Sequence, residues 1–155
     1  MSEVLDDMIG LTKGPRPQDG KIILTCPRFV TIPRKTIKDK KVQLNMNAYR
    51  NLHYMDDNNA KKLFKSLMKD QILAMPNITD PVNIQFQVFK KNKSRLDKMN
   101  VISVVSKYLM DAIVELGKMP DDNDDWIRHE LLLPTQIDKY NPRVEVTITP
   151  IVLEC

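Results

Sequence analysis

Between Val101 and Leu116 the apolar residues fall at Val101, Val104, Val105, Tyr108, Leu109, Ala112, Ile113 and Leu116. That is the three- and four-residue step of one helical face, held for roughly four turns. Gly117 stands where a C-terminal cap glycine belongs, and Pro120 follows shortly after. A helix with one apolar face must be covered by a second layer, and the flanking sequence supplies candidates. Val82, Ile84, Phe86 and Val88 alternate with Asn83, Gln85 and Gln87, the pattern of a half-buried strand. In Asp57–Leu73 the residues Ala60, Leu63, Phe64, Leu67, Met68 and Ile72 mark another helix, whose exit is bracketed by Pro76 and Pro81. Lys21–Cys26, closed by Pro27, reads as a short strand, and the alternation in Val42–Met46 suggests a second. Trp126–Leu133 and Arg143–Thr149 read as closing strands, the latter with Val144, Val146 and Ile148 on one face.

The order strand, strand, helix, strand, helix, strand, strand predicts one small α/β or α+β domain with a mixed β-sheet and two main helices. The chain of 155 residues suits a single domain. Residues 1–19, ending in Lys13-Gly-Pro-Arg-Pro17, read as an extended N-terminal arm to a domain at 20–155. There is no internal repeat and no low-complexity tract. No apolar run approaches the ~20 residues of a membrane helix. Met1–Gly10 carries acids where a secretory signal would be basic, so a cytoplasmic protein without membrane contact is expected.

Charge and cysteine usage narrow the chemistry. Twenty-four Lys and Arg against 20 Asp and Glu give +4, which permits a nucleic-acid partner without demanding one. The excess is local. Arg34, Lys35, Lys38, Lys40, Lys41 and Arg50 face one acid, Asp39, and Lys90, Lys91, Lys93, Arg95 and Lys98 face Asp97. Two cysteines, Cys26 and Cys155, and two histidines, His53 and His129, do not compose a four-ligand zinc site. A resident metal would therefore be a hard ion held by oxygens.

Two constellations could carry chemistry. Asn100, Ser103, Lys107 and Asp111 line one side of the Val101–Leu116 helix, with Asp97 before its first turn and Asp121, Asp122, Asp124 and Asp125 in the loop after it. Carboxylates with a nearby lysine suit a Mg²⁺ site for phosphoryl chemistry. Taken singly, each has a plainer reading: Asp97 as a helix cap, Lys107 and Asp111 as a solvated pair, the aspartates as a polar turn. The other constellation is Asn45-Met-Asn-Ala-Tyr-Arg-Asn-Leu-His53. Its amides, Tyr49, Arg50 and His53 suit phosphate and sugar contacts, or else form a polar lead into a helix with Tyr49 and His53 against the core.

The segment from Asp97-Lys-Met-Asn100 through Lys107, Asp111-Ala112 and Gly117 to Pro120-Asp-Asp-Asn123 resembles the core of the RusA-type Holliday junction resolvases. Asn141-Pro-Arg-Val-Glu-Val-Thr-Ile148 is similar to that family's closing strand, and Asn45–His53 to its early DNA-contacting motif. The likeness spans roughly residues 20–149. It implies a homodimeric crossover junction endodeoxyribonuclease, dependent on Mg²⁺ with Mn²⁺ as a substitute and using no nucleotide cofactor. Such enzymes resolve four-way junctions and other branched DNA by paired nicking in DNA recombination and repair, and are common in phage and prophage genomes. Carried over by position, Asp97, Asp122 and Lys107 would be catalytic, and Asp97, Asp121 and Asp122 would bind metal. Asn45, Asn47, Tyr49, Arg50, Asn51, His53, Lys93, Arg95 and Asn100 would contact DNA.

One departure stands out: Met99 occupies the place of the family's second Asp. A thioether is a poor ligand for a hard ion, so weaker metal binding and slower cleavage follow. The alternative expectation is a branched-DNA-binding protein on the same fold that no longer cuts. A third reading, of another class, is an interaction protein whose basic patches merely keep it soluble.

Overall fold

The computed structural model describes residues 20–151. The proposed arm at 1–19 and the terminal Cys155 lie outside them. Along the chain come β1 (Ile22–Cys26), β2 (Phe29–Ile32), β3 (Lys40–Gln43), α1 (Met46–Arg50), α2 (Tyr54–Ala74), β4 (Val82–Lys90), α3 (Lys98–Glu115), β5 (Ile127–Leu132), β6 (Gln136–Ile137) and β7 (Arg143–Pro150).

The main sheet runs β1-β7-β4-β5, with β6 also beside β4. Pairing is antiparallel for β1 with β7 and for β7 with β4, and parallel for β4 with β5 and with β6. This is the mixed sheet that the sequence predicts, in a small α+β domain. Alternation in β1, β7 and β4 aligns across the sheet. Cys26, Val144 and Val88 form one row, Leu24, Val146 and Phe86 the next, and Ile22, Ile148 and Ile84 a third. All nine are buried. The two main helices cover this face. Buried on α2 are Ala60, Phe64, Met68 and Ile72, and on α3 Val101, Val104, Val105, Tyr108, Leu109, Ala112 and Ile113 among others. Burial in this apolar layer pushes the Cys26 thiol far above its ordinary range, which marks it as a packing residue.

Three elements, β2, α1 and β6, carry no periodic signal in the sequence. Phe29–Ile32 is a four-residue strand between Pro27 and Pro33, too short to show a period. It pairs with β3 as a separate two-stranded ribbon. The expected strand at Val42–Met46 instead occupies Lys40–Gln43, because the Asn45 side chain accepts the Ala48 N–H at 2.8 Å and opens α1. The pair Gln136–Ile137 forms β6. The second helix begins at Tyr54, ahead of the expected Asp57, since His53 Nδ1 accepts the Met55 N–H at 3.3 Å as its cap. One exposed strand edge is closed by a side chain: Gln71 of α2 accepts the Thr25 N–H at 2.8 Å and donates to the Thr25 carbonyl at 3.0 Å. Among the described residues no helix is long and apolar enough to cross a membrane.

Candidate functional site

The apolar stripe of α3 turns toward the sheet, which leaves Ser103 and Lys107 exposed and Asn100 and Asp111 half-buried on its outer side. Lys107 reaches across to α1. Its Nζ donates to the Tyr49 hydroxyl at 2.8 Å and stands 5.0 Å from the centre of that ring. Tyr49 is held from behind, half-buried against the core on a helix that Asn45 caps. Two segments 58 residues apart, singled out separately in the sequence, therefore form one surface.

Beneath this contact, α2 and α3 are tied by three polar rungs. The buried Tyr108 donates its hydroxyl to Asp57 Oδ1 at 2.6 Å, Lys61 pairs with Asp111 at 2.8 Å, and Lys65 pairs with Glu115 at 2.8 Å. Burial and then Asp57 hold the Tyr108 phenol above its ordinary range, and the Asp111 hydrogen bond raises Lys61. The rungs border an open cleft of about 310 Å³ that Asn58 and Lys62 also line. Tyr108 and Asp57 were missed in the sequence because Tyr108 fits the apolar stripe and Asp57 looks like a helix-start acid.

At the far end of α3 the acidic loop folds on itself. Asp121 accepts the Asp122 N–H at 2.8 Å and the Asn123 amide at 3.0 Å, and Asn123 Oδ1 accepts the Asp125 N–H at 3.0 Å. The Asp122 carboxyl is raised above the usual carboxylate range by desolvation, then by Asp121, and further by the charge of Asp111. Lys107, Asp111, Asp121 and Asp122 thus occupy the C-terminal half of α3 and the loop beyond it.

Asp97 is elsewhere. It caps the N-terminus of α3, its Oδ1 accepting the Met99 N–H at 3.0 Å. Asp111 lies 14 residues further along the helix, about 20 Å at 1.5 Å per residue. The expected ligand set of Asp97, Asp121 and Asp122 is therefore not brought together within one chain. Asp111, read in the sequence as part of a polar stripe and of the Asp111-Ala112 pair in the resemblance but not as a metal ligand, comes near enough for its charge to raise Asp122. Among the described residues no three acidic, histidine or cysteine side chains make a ready metal-holding group.

The residues expected at DNA divide. Asn45 and His53 spend their acceptors on caps. His53 is exposed, its ring 4.6 Å from that of Tyr54, and is not tucked into the core. The Asn47 carbonyl accepts the Asn51 amide at 3.0 Å, which fixes the end of α1, and Arg50 is exposed in its last turn. Lys93 and Arg95 are exposed in the turn between β4 and α3, where Lys90 Nζ donates to the Ser94 carbonyl at 3.0 Å. Asn100 sits in the first turn of α3, at the same end as that basic turn. The cations thus lie at the start of α3 and alongside its middle, and the acids at its end.

No protein-family model matches the chain, and no curated protein matches it.

Proposed function

We propose that the protein recognises branched DNA, gripping phosphates through the surface where α1 meets α3. The observation that carries this reading is the Lys107–Tyr49 contact. It sets a cation beside a phenol, with Arg50 exposed at the next position of α1, the side-chain chemistry that phosphate and sugar contacts use. The exposed turn with Lys93 and Arg95 extends the basic surface along α3. The resemblance to the junction resolvases supports a four-way junction as the substrate and a homodimer as the working form, whose two-fold symmetry would match that of the junction.

A second reading adds cleavage: a Mg²⁺-dependent crossover junction endodeoxyribonuclease acting by paired nicking in recombination and repair. One observation favours it, the concentration of negative charge where Asp122 stands beside Asp121 and Asp111. Two weigh against it: Met99 in the place of an expected carboxylate, and Asp97 at the other end of α3. No hydrolytic step is therefore drawn through a metal.

A single gel experiment separates the readings. A labelled synthetic four-way junction and its matched linear duplex are incubated with the protein in EDTA, in Mg²⁺ and in Mn²⁺. Junction-selective retardation in EDTA is the expected result. Paired nicks near the crossover in either metal would establish the second reading. Equal or absent retardation of both DNAs would refute the proposal.

A further inference from the structure

The β2–β3 ribbon carries its own chemistry. Its inner row, Val30, Ile32 and Val42, is buried, and its outer row, Phe29, Thr31, Lys41 and Gln43, is exposed. In register, Phe29 opposes Gln43 and Thr31 opposes Lys41. Lys41 Nζ stands 4.0 Å from the Phe29 ring centre, which holds a cation over the outer face. The turn joining the strands contributes Arg34, Lys35 and Lys38 against Asp39. Part of that charge is used internally: Asp56 takes Lys40 at 2.8 Å and Arg34 at 3.8 Å, and the Arg34 N–H goes to Asp39 Oδ1 at 3.1 Å. Among the described residues Lys35, Lys38 and Lys41 make no ion pair. The ribbon is a sheet separate from the main one, and among the described residues its outer row is exposed.

We infer that this ribbon lies in the major groove of duplex DNA, with Lys35 and Lys38 on flanking phosphates and Thr31, Lys41 and Gln43 toward the base edges. Charge and size both favour this placement. Three lysines with no acidic partner among the described residues make this small element suit a polyanion, and a two-stranded ribbon fits a groove about 12 Å wide but not one of about 6 Å. A row with a hydroxyl, an amide, a cation and one ring offers groups that hydrogen-bond base edges, unlike the apolar belt that a lipid surface would select. This inference rests on the proposed DNA binding and adds which element reads an arm of the substrate.

The test uses linear duplex DNA and the full chain. Log affinity is measured against log salt for the wild type and for Lys35→Ala combined with Lys38→Ala, with the groove-specific dyes methyl green (major) and netropsin (minor) as competitors. The lysine variant is expected to reduce the salt slope by about two. Thr31→Ala with Gln43→Ala is expected to weaken binding about tenfold at an unchanged slope, and methyl green, not netropsin, is expected to displace the protein. An unchanged slope in the lysine variant, full affinity in the outer-row variant, or displacement by netropsin alone overturns the ribbon assignment. A wild type that binds no DNA overturns the proposed function itself, so the two failures are distinguishable.

Discussion

Neighbouring residues on α3 serve opposite ends. Lys107 turns outward to Tyr49, whereas Tyr108, the next residue, is buried and donates to Asp57. Removing that phenolic hydroxyl leaves a part-buried carboxylate without its donor. Tyr108→Phe is accordingly expected to lower stability by about 1–3 kcal/mol, read as a lower urea midpoint with an unchanged m value. Asp122 behaves in the opposite sense. Its folded-state carboxyl is raised by desolvation and by Asp121, so near neutral pH the ionised group opposes folding. That opposition vanishes as pH falls below its unfolded value, where both states are protonated. Asp122→Asn is therefore expected to raise Tm at pH 7, with the gain shrinking as pH falls through the carboxylate range. A variant less stable than wild type at pH 7 would show that Asp122 is a structural acid and not one held at a cost to folding.

At the scale of elements, the Gln71 amide does for β1 what a neighbouring strand would do, satisfying the Thr25 N–H and carbonyl together. Gln71→Ala is expected to cost about 1 kcal/mol and to promote concentration-dependent association through the opened edge, measured by a denaturant titration and by light scattering. The elements that the sequence announces are those whose pattern outlasts the noise: the long apolar face of α3, the alternation of β4, and the Val144, Val146, Ile148 row of β7. Those it hides are short. Phe29–Ile32 has four residues between prolines, and α1 is a five-residue helix whose start depends on one side-chain hydrogen bond from Ala48 to Asn45. The candidate site divides along the same line. Lys107 and Tyr49 are both legible as apt residues, but their meeting depends on α1. The separation of Asp97 from Asp122 follows from the helical rise of α3, because Asp122 lies near Asp111, about 20 Å along the helix from the Asp97 cap. Motif likeness aligns such residues in order and says nothing of that span.

For the whole molecule, the modest +4 charge conceals a strong separation. Cations gather on the ribbon and on the turn before α3, while Asp121, Asp122, Asp124 and Asp125 crowd the loop after it and Lys61 and Lys65 of α2 are held by Asp111 and Glu115. A polyanion approaching such a surface is steered to the basic side, and its affinity should fall steeply with salt. Metal should matter little to that binding, because the basic side does not depend on the acidic end of α3. The proposed function makes branched-DNA recognition a property of the surface that Lys107 and Tyr49 join. An anisotropy titration in EDTA tests it most directly, using a labelled four-way junction and its linear duplex against wild type and Lys107→Ala. Tighter binding of the junction by the wild type is expected, with a loss of about tenfold in junction affinity on Lys107→Ala, in the range for a charged hydrogen-bonding group. Equal affinity of the wild type for both DNAs, or a junction affinity untouched by Lys107→Ala, would contradict it.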